Sequence, residues 1–385
     1  MTSPDGRPRE ILLVTGSRGE WGYIRPILRL IDADDRLSYR LAVTNMHLLP
    51  EFGASHVEIA RDGFEIHDEL YMALDGSTDV SMTKSLGIFL LSIADALHRS
   101  RPDIVLLAGD RGEQMMAALA GAHMNIPVAH IQAGEVSGNV DGQTRHAIAR
   151  YAHLHFAANE DAAQRLLRSG EEEFRVHRVG APQLDELIHA ERASAGEIAR
   201  RFHVDPEKPL VLLVQHPVTE QVRLAGAQMA TTLEALKRLG VQVVLVYPNN
   251  DAGSVELRAT IEEFRGPWLH IERNLSRRDY AGLLQEAEAM VGNSSSGLLE
   301  APSFRLPAVN IGRRQEGRMR GDNVIDVDHD VDAIEAAVKQ ALSPEFRDRL
   351  SGKNPYGDGR ASERIVRVLA ETPIDEALLY KRLTF

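Results

Sequence analysis

Short runs of strand-forming residues alternate along this chain with longer segments of helical spacing, and that rhythm narrows the possible folds to parallel α/β architectures. The runs are ILLVT from Ile11, RLAVT from Arg40, DIVLLAG from Asp103, PVAHI from Pro127 and HLHFAA from His153. Between the second and third, Leu86, Phe89, Leu90, Ile93, Ala94 and Leu97 recur at spacings of three and four, which puts them on one helix face. After RVHRVG (Arg175 to Gly180) a charged, helix-like stretch runs to DPEKP (Asp205 to Pro209), and a second series begins at Leu210, Gln242, Trp268, Ala289, Pro307 and Val324. The rhythm predicts two Rossmann-like domains, residues 1–185 and 205–355, with the C-terminal segment 360–385 a candidate addition to the first. A length of 385 residues suits two domains of ordinary size.

Composition excludes several classes of function. A net charge of −12 argues against nucleic acid and membrane surfaces, which reward basic stripes that this chain lacks. With no cysteine there is no disulfide, no thiolate metal site and no cysteine nucleophile, which fits the cytoplasm. The N-terminal MTSPDGRPRE has no apolar signal core, and uninterrupted apolar runs fall well short of the roughly 20 residues that span a bilayer. The expectation is a soluble cytoplasmic protein that meets any anionic ligand with a few placed groups.

In doubly wound sheets ligands sit at the carboxyl ends of strands, so the residues that follow each run are the candidates. The first is TGSRGEWG (Thr15 to Gly22), where Arg18 is suited to a phosphate, although an ordinary βα turn with a surface arginine explains it equally well. GDRGE follows at Gly109, with Asp110 and Arg111; an N-cap role is the alternative for Asp110. Next comes QAGEVSGNVDGQTRHAIAR (Gln132 to Arg150), a glycine-broken loop with Glu135, Asp141, Arg145 and His146. If Asp110 and Asp141 converge, one can be raised in pKa by the other and transfer protons. In the second half His216 lies in QHPVTEQ, and YPNNDAG (Tyr247 to Gly253) follows the next strand. VGNSSSGLLE (Val291 to Glu300) reads as a strand, a serine-glycine turn and a helix beginning near Gly297, whose free amides suit a diphosphate while Glu300 suits ribose hydroxyls. Serine capping alone is the plainer reading.

In order along nearly the whole chain, TGSRGEWG, GDRGE, GEVSG, RHAI, LHF, HPVT, YPNNDAG, GNSSSG, the RRQ run from Arg313 and NPYGDG from Asn354 resemble the hydrolysing UDP-N-acetylglucosamine 2-epimerases of sialic-acid-type sugar biosynthesis. The resemblance implies a glycosyltransferase-B-like fold, two Rossmann-like domains facing a central cleft, with UDP on the C-terminal one. It implies nucleotide contacts at Arg18, Arg111, Asn249, Ser294, Ser295, Gly297, Glu300 and Arg314. Asp110 and Asp141 become acid/base candidates, with His216 beside the phosphate. Some members carry a glutamate where this chain has Gln132, which cannot exchange protons near neutral pH, and Glu135 is the candidate to replace it. The implied partners are a UDP-sugar and UDP, with a homo-oligomer favoured and no metal or redox cofactor. A glycosyltransferase, a non-hydrolysing epimerase and a catalytically silent nucleotide-sugar sensor remain alternatives.

Overall fold

The computed structural model describes residues 6–50, 55–75, 78–136, 140–247, 254–273 and 275–384, with the side chains of Asp79, Val140, Asp141, Thr219, Glu220, Ser254 and Val255 outside that set. The chain divides into two compact units, Met1–Glu186 with Tyr356–Phe385, and Leu187–Pro355.

The first unit is built on a sheet of seven parallel strands: β1 (Arg9–Thr15), β2 (Leu37–Thr44), β3 (Asp68–Leu70), β4 (Ile104–Ala108), β5 (Val128–Ile131), β6 (Leu154–Ala157) and β7 (Val176–Arg178). Their order is β3-β2-β1-β4-β5-β6-β7, so chain direction across the sheet reverses between β1 and β4. Alternate residues of β1 enter opposite layers. Ile11 and Leu13 pack with Ile24, Ile27 and Ile31 of the helix Arg18–Asp32, while Leu12 and Val14 pack with Phe89, Ile93 and Leu97 of the helix Asp79–Ser100. Each such side chain withdrawn from water contributes about 1.5–3 kcal/mol, and a sheet covered on both faces needs apolar residues at every strand position, which is why β1 and β4 read as continuous runs.

The helix Asp79–Ser100 corrects one expectation. An 18-residue stretch within Val80–Ser100 reaches a mean hydropathy of 1.4, and the helix is long and apolar enough, by length and composition, to cross a membrane. Lys84, Asp95 and His98 interrupt any apolar run, yet the average between them remains high. One face, with Phe89, Ile93 and Leu97, lies in the core, whereas Val80, Met82 and Leu91 are exposed.

The chain returns to the first unit through the helix Ala361–Glu371, whose Ile365, Val366 and Leu369 join the layer formed by the helix Arg18–Asp32. The crossing back is close: Gly180 has φ +99, and a Cβ there would stand 3.2 Å from the Tyr356 carbonyl oxygen, so only glycine fits without displacement. Asp185 caps the returning helix, accepting the amides of Ala361 at 3.0 Å and Ser362 at 2.5 Å.

The second unit repeats the plan with six parallel strands: β8 (Leu210–Val214), β9 (Gln242–Val246), β10 (Leu269–Glu272), β11 (Ala289–Gly292), β12 (Ala308–Ile311) and β13 (Val324–Val327). The order β10-β9-β8-β11-β12-β13 again reverses at one point, between β8 and β11. Val211 and Leu213 face the layer of Met229, Leu233 and Leu236; Leu210, Leu212 and Val214 face that of Ile198, Phe202 and Leu283.

Candidate functional site

Where the direction of a doubly wound sheet reverses, the helices on either side diverge and leave a crevice above the strand ends. In the first unit that point lies between β1 and β4. Asp110 directly follows β4 and accepts a charge-assisted hydrogen bond from Arg145 Nη2; the same guanidinium donates through Nη1 to the Gln132 carbonyl oxygen at 2.7 Å. Arg145, buried on the helix Val140–Tyr151, therefore ties the ends of β4 and β5 together. Gln132 sits at φ +59, a backbone conformation that non-glycine residues adopt at a cost and that concentrates at functional sites. His130 on β5 is fully buried with Nε2 2.6 Å from the Gly109 carbonyl oxygen, and burial drives its pKa down to about 3, so it is a neutral imidazole.

The other candidates of this unit are more dispersed. Arg18, exposed in the first turn after β1, forms a 2.7 Å ion pair with Glu58. Arg111 is the N-cap of the helix Gly112–His123, and its Nε donates to Glu113 at 2.9 Å. Glu135 is buried and accepts from Asn159 Nδ2 at 2.6 Å, while Asn159 itself caps the helix Glu160–Arg168. Asp141 lies in the first turn of the helix Val140–Tyr151, and its side chain is outside the described set.

In the second unit the reversal between β8 and β11 gathers His216 and the run from Asn293 to Glu300. Asn293 is the hub. Its Oδ1 accepts the His216 amide at 2.7 Å and its Nδ2 donates to the His216 carbonyl oxygen at 2.8 Å. Its own carbonyl oxygen accepts from Arg314 at 3.2 Å and Gln315 at 2.9 Å. Gly292 makes the approach possible: with φ +124, any Cβ would stand 2.2 Å from the Val214 carbonyl oxygen. Asn249 lies outside the described residues.

The helix expected near Gly297 is a single turn, Ser296–Leu299, followed by the 3-10 turn Ala301–Phe304. Pro302 has no amide to donate and disfavours helical backbone in the residue before it, so the α-helix stops where the sequence pattern runs on. Two of the amides expected to be free are also engaged, Gly297 to the Ser294 carbonyl oxygen at 3.2 Å and Leu298 to that of Ser295 at 3.0 Å. The anion site expected at this turn is correspondingly reduced, and no long helix stands behind it. Gly297 packs closely, a Cβ there standing 3.3 Å from the Ala308 Cβ. Glu300 accepts from Ser296 Oγ and from Tyr280 Oη at 3.3 Å, and burial raises its pKa against the pull of those two hydrogen bonds.

Asn293, Arg145 and His130 organise these strand ends. Asn293 lies within GNSSSG and His130 within the PVAHI run, but neither stands out as a candidate, because an amide after a strand and a histidine inside an apolar run look like turn and core residues. Arg145 was visible as one of four ionisable groups in a loop, but its pairing with Asp110 is not a matter of spacing.

Residues 29–370 match the family model described as UDP-N-acetylglucosamine 2-epimerase. The chain is 38% identical to the Legionella pneumophila protein named UDP-N,N'-diacetylbacillosamine 2-epimerase (hydrolyzing), over 97% of this chain and 98% of that one. It is 31% identical to a UDP-N-acetylglucosamine 2-epimerase of Neisseria meningitidis, over 94% of this chain and 95% of the relative. The crystal structure of a Neisseria meningitidis UDP-GlcNAc 2-epimerase bound to UDP-GlcNAc superposes with a TM-score of 0.79 at 18% identity, covering 94% of this chain and 100% of that one; at such identity the likeness speaks to the fold, which is glycosyltransferase-B-like. Two parallel α/β units, each with polar residues gathered at its reversal point, and a sequence likeness running over nearly the full length lead to one assignment: the chain belongs to the UDP-N-acetylglucosamine 2-epimerase family.

Proposed function

We propose that this protein is a hydrolysing 2-epimerase, which converts a UDP-activated N-acetylated hexose and water into UDP and the free 2-epimer. The observation that carries the reading is the 38% identity, end to end, with a relative whose name specifies the hydrolysing reaction. That relative is named for a 2,4-diacetamido sugar and the 31% relative for N-acetylglucosamine, so the diacetamido substrate is the better supported of the two.

In the proposed reaction a base takes the proton from C2 while the C1–O bond breaks and UDP departs, leaving a double bond between C1 and C2. Water then adds, hydroxyl to C1 and a proton to the opposite face of C2. Asp110, aimed by Arg145, and Asp141 handle the protons, because Gln132 has none to exchange. Glu135 is left to hold the start of the helix Glu160–Arg168 through Asn159. His216, with its backbone held by Asn293, serves the departing diphosphate, where a hydrogen bond strengthens as charge builds. Ser294, Ser295, Gly297, Glu300, Arg314, Asn249, Arg18 and Arg111 are assigned to the nucleotide.

Turnover in D₂O tests this reading. The expected product is free UDP together with a free 2-epimer carrying deuterium at C2. An epimer still joined to UDP would make the enzyme non-hydrolysing, and a product with protium and unchanged configuration at C2 would make the reaction hydrolysis or transfer.

A further inference from the structure

The same five-residue pattern, glycine-x-arginine-glycine-glutamate, occurs at Gly16–Glu20 after β1 and at Gly109–Glu113 after β4. Because β1 and β4 are paired neighbours in the sheet, the two copies stand side by side at its reversal point. The arginines are partly exposed, whereas both glutamates are buried, Glu20 at 3% exposure and Glu113 at 2%.

The two carboxylates close on the same small space. Glu20 accepts the Gly16 amide at 2.5 Å, and Glu113 Oε1 occupies the place where a Gly16 Cβ would stand, 2.3 Å from it. Glycine at 16 is therefore a requirement of the second glutamate. Arg111 Nε is 2.9 Å from Glu113 Oε1 and 4.0 Å from Glu20 Oε1. Asn45, in the 3-10 turn Asn45–Leu48, adds a 2.9 Å bond to Glu113. Glu20 Oε1 is buried, with the Gln114 side chain beside it.

Two buried carboxylates beside one arginine carry one negative charge too many for their surroundings. Burial first, and then the charge of Glu113, push the Glu20 carboxyl up to about 8, against the lowering pull of Arg111, the Gly16 amide and the Gln114 side chain. Among the described residues, the other groups facing this space add no cation. Gln114, on the helix Gly112–His123, donates to the Val14 carbonyl oxygen, and Arg18 is paired outward with Glu58. His47, 2.9 Å from Thr15 Oγ1, is pushed by burial to about 4 and stays neutral.

We propose that Glu113 and Glu20 are positioning residues for the reaction assigned above, the first holding Arg111 and the second the turn at Gly16. Glu113 fixes the Arg111 guanidinium at the end of β4, next to Asp110. Glu20, neutral, braces the parallel turn through the Gly16 amide without adding a second charge. When Glu20 ionises, two carboxylates face each other beneath both turns, and Arg111 is drawn away from its setting. The inference rests on the epimerase reading for its kinetic consequence only.

The test compares the whole protein with Glu20→Gln and Glu113→Gln across pH 5 to 9, measuring turnover, thermal midpoint and the infrared C=O band of protonated carboxyl groups. The wild type is expected to lose kcat/KM as pH rises through about 8, and Glu20→Gln to abolish that loss. Glu113→Gln removes the second anion, so the loss of kcat/KM above pH 8 disappears there too, while KM rises by about tenfold as Arg111 loses its partner. The sign for stability is fixed as well. A carboxyl raised from its ordinary 4.5 to about 8 contributes fully below 4.5 and is lost as pH rises through 8, so the midpoint difference between wild type and Glu20→Gln narrows or reverses over that window. The protonated-carboxyl band at pH 7 should disappear in Glu20→Gln. If Glu20→Gln does not fold, the Glu113→Gln pH profile and the wild-type band still decide. Superposable pH profiles of the wild type and Glu20→Gln, or an unchanged infrared band, would overturn the proposal. A protein inert toward every UDP-sugar would sink the epimerase reading alone, since the midpoint and infrared arms need no turnover.

Discussion

The two units share a topology, and their site ends use it for opposite electrostatics. Above β1 and β4 the first unit packs charge: Asp110 on buried Arg145, and Glu20 and Glu113 beside Arg111, with histidines kept neutral by burial. Above β8 and β11 the second unit relies on Asn293, whose amide and carbonyl hold His216, Arg314 and Gln315, and Glu300 is the half-buried carboxyl of that run. Crowded charges separate the proton affinities of neighbouring groups, which proton transfer at carbon requires. Neutral, saturated hydrogen bonds hold a shape without titrating, which suits a ligand that is gripped and released. On the proposed function one architecture carries two chemistries, and the side chains placed at the reversal point decide which.

The largest expected effect tests the first half of that contrast. Asp110→Asn keeps the shape and removes the proton, so turnover should fall by about 10² to 10⁴ while UDP affinity measured by calorimetry changes less than about twofold. A parallel loss of affinity would show that charge in the first unit serves binding too, and the contrast would break.

A smaller effect tests the second half. Ser296→Ala combined with Glu300→Ala removes the buried hydroxyl–carboxyl pair and should weaken UDP binding by about 10- to 100-fold, as hydrogen bonds to charged groups contribute about 1.5–3 kcal/mol. Turnover at saturating substrate should remain within about threefold of the wild type. Unchanged affinity would remove Glu300 from the nucleotide site.

The smallest effect sharpens the comparison through pH. In the first unit burial lowers His47 and His153 to about 4 and His130 to about 3, below the ordinary 6.5. A folded value below the unfolded one means stability that is present above 6.5 and is lost as pH falls through the folded value. Glu20 acts in the opposite sense, one group against three. Hydrogen exchange at pH 7 and pH 5 should therefore show β1, β4 and β5 losing protection on acidification before β8 and β11. Equal losses would mean that the two units do not differ in buried proton load.

The strands were readable where burial on both faces demands unbroken apolar runs: ILLVT became β1, IVLLA β4 and LVLLV β8. β3 is only Asp-Glu-Leu and carries no such signal, because an edge position asks for little burial. The helix expected near Gly297 is present at Ser296–Leu299, but its shortness was not readable, since its length is set by Pro302 and by bonds back to the serines rather than by apolar spacing. The acid pair was half visible: its repeated pattern stands in the sequence, yet nothing along the chain says that Glu20 and Glu113 turn inward.

By itself, the sequence determined the parallel α/β class, the strand ends on which polar residues fall and the family to which the chain belongs, because each is carried by local pattern or by ordered motifs. Only the tertiary structure decided that Arg145 would hold Asp110 and that two glutamates 93 positions apart would share the space beside Gly16. Those pairings arise from β1 lying next to β4 after a crossover, and the protonation that follows comes from burial. Burial is a property of the packed chain, and no residue carries it alone.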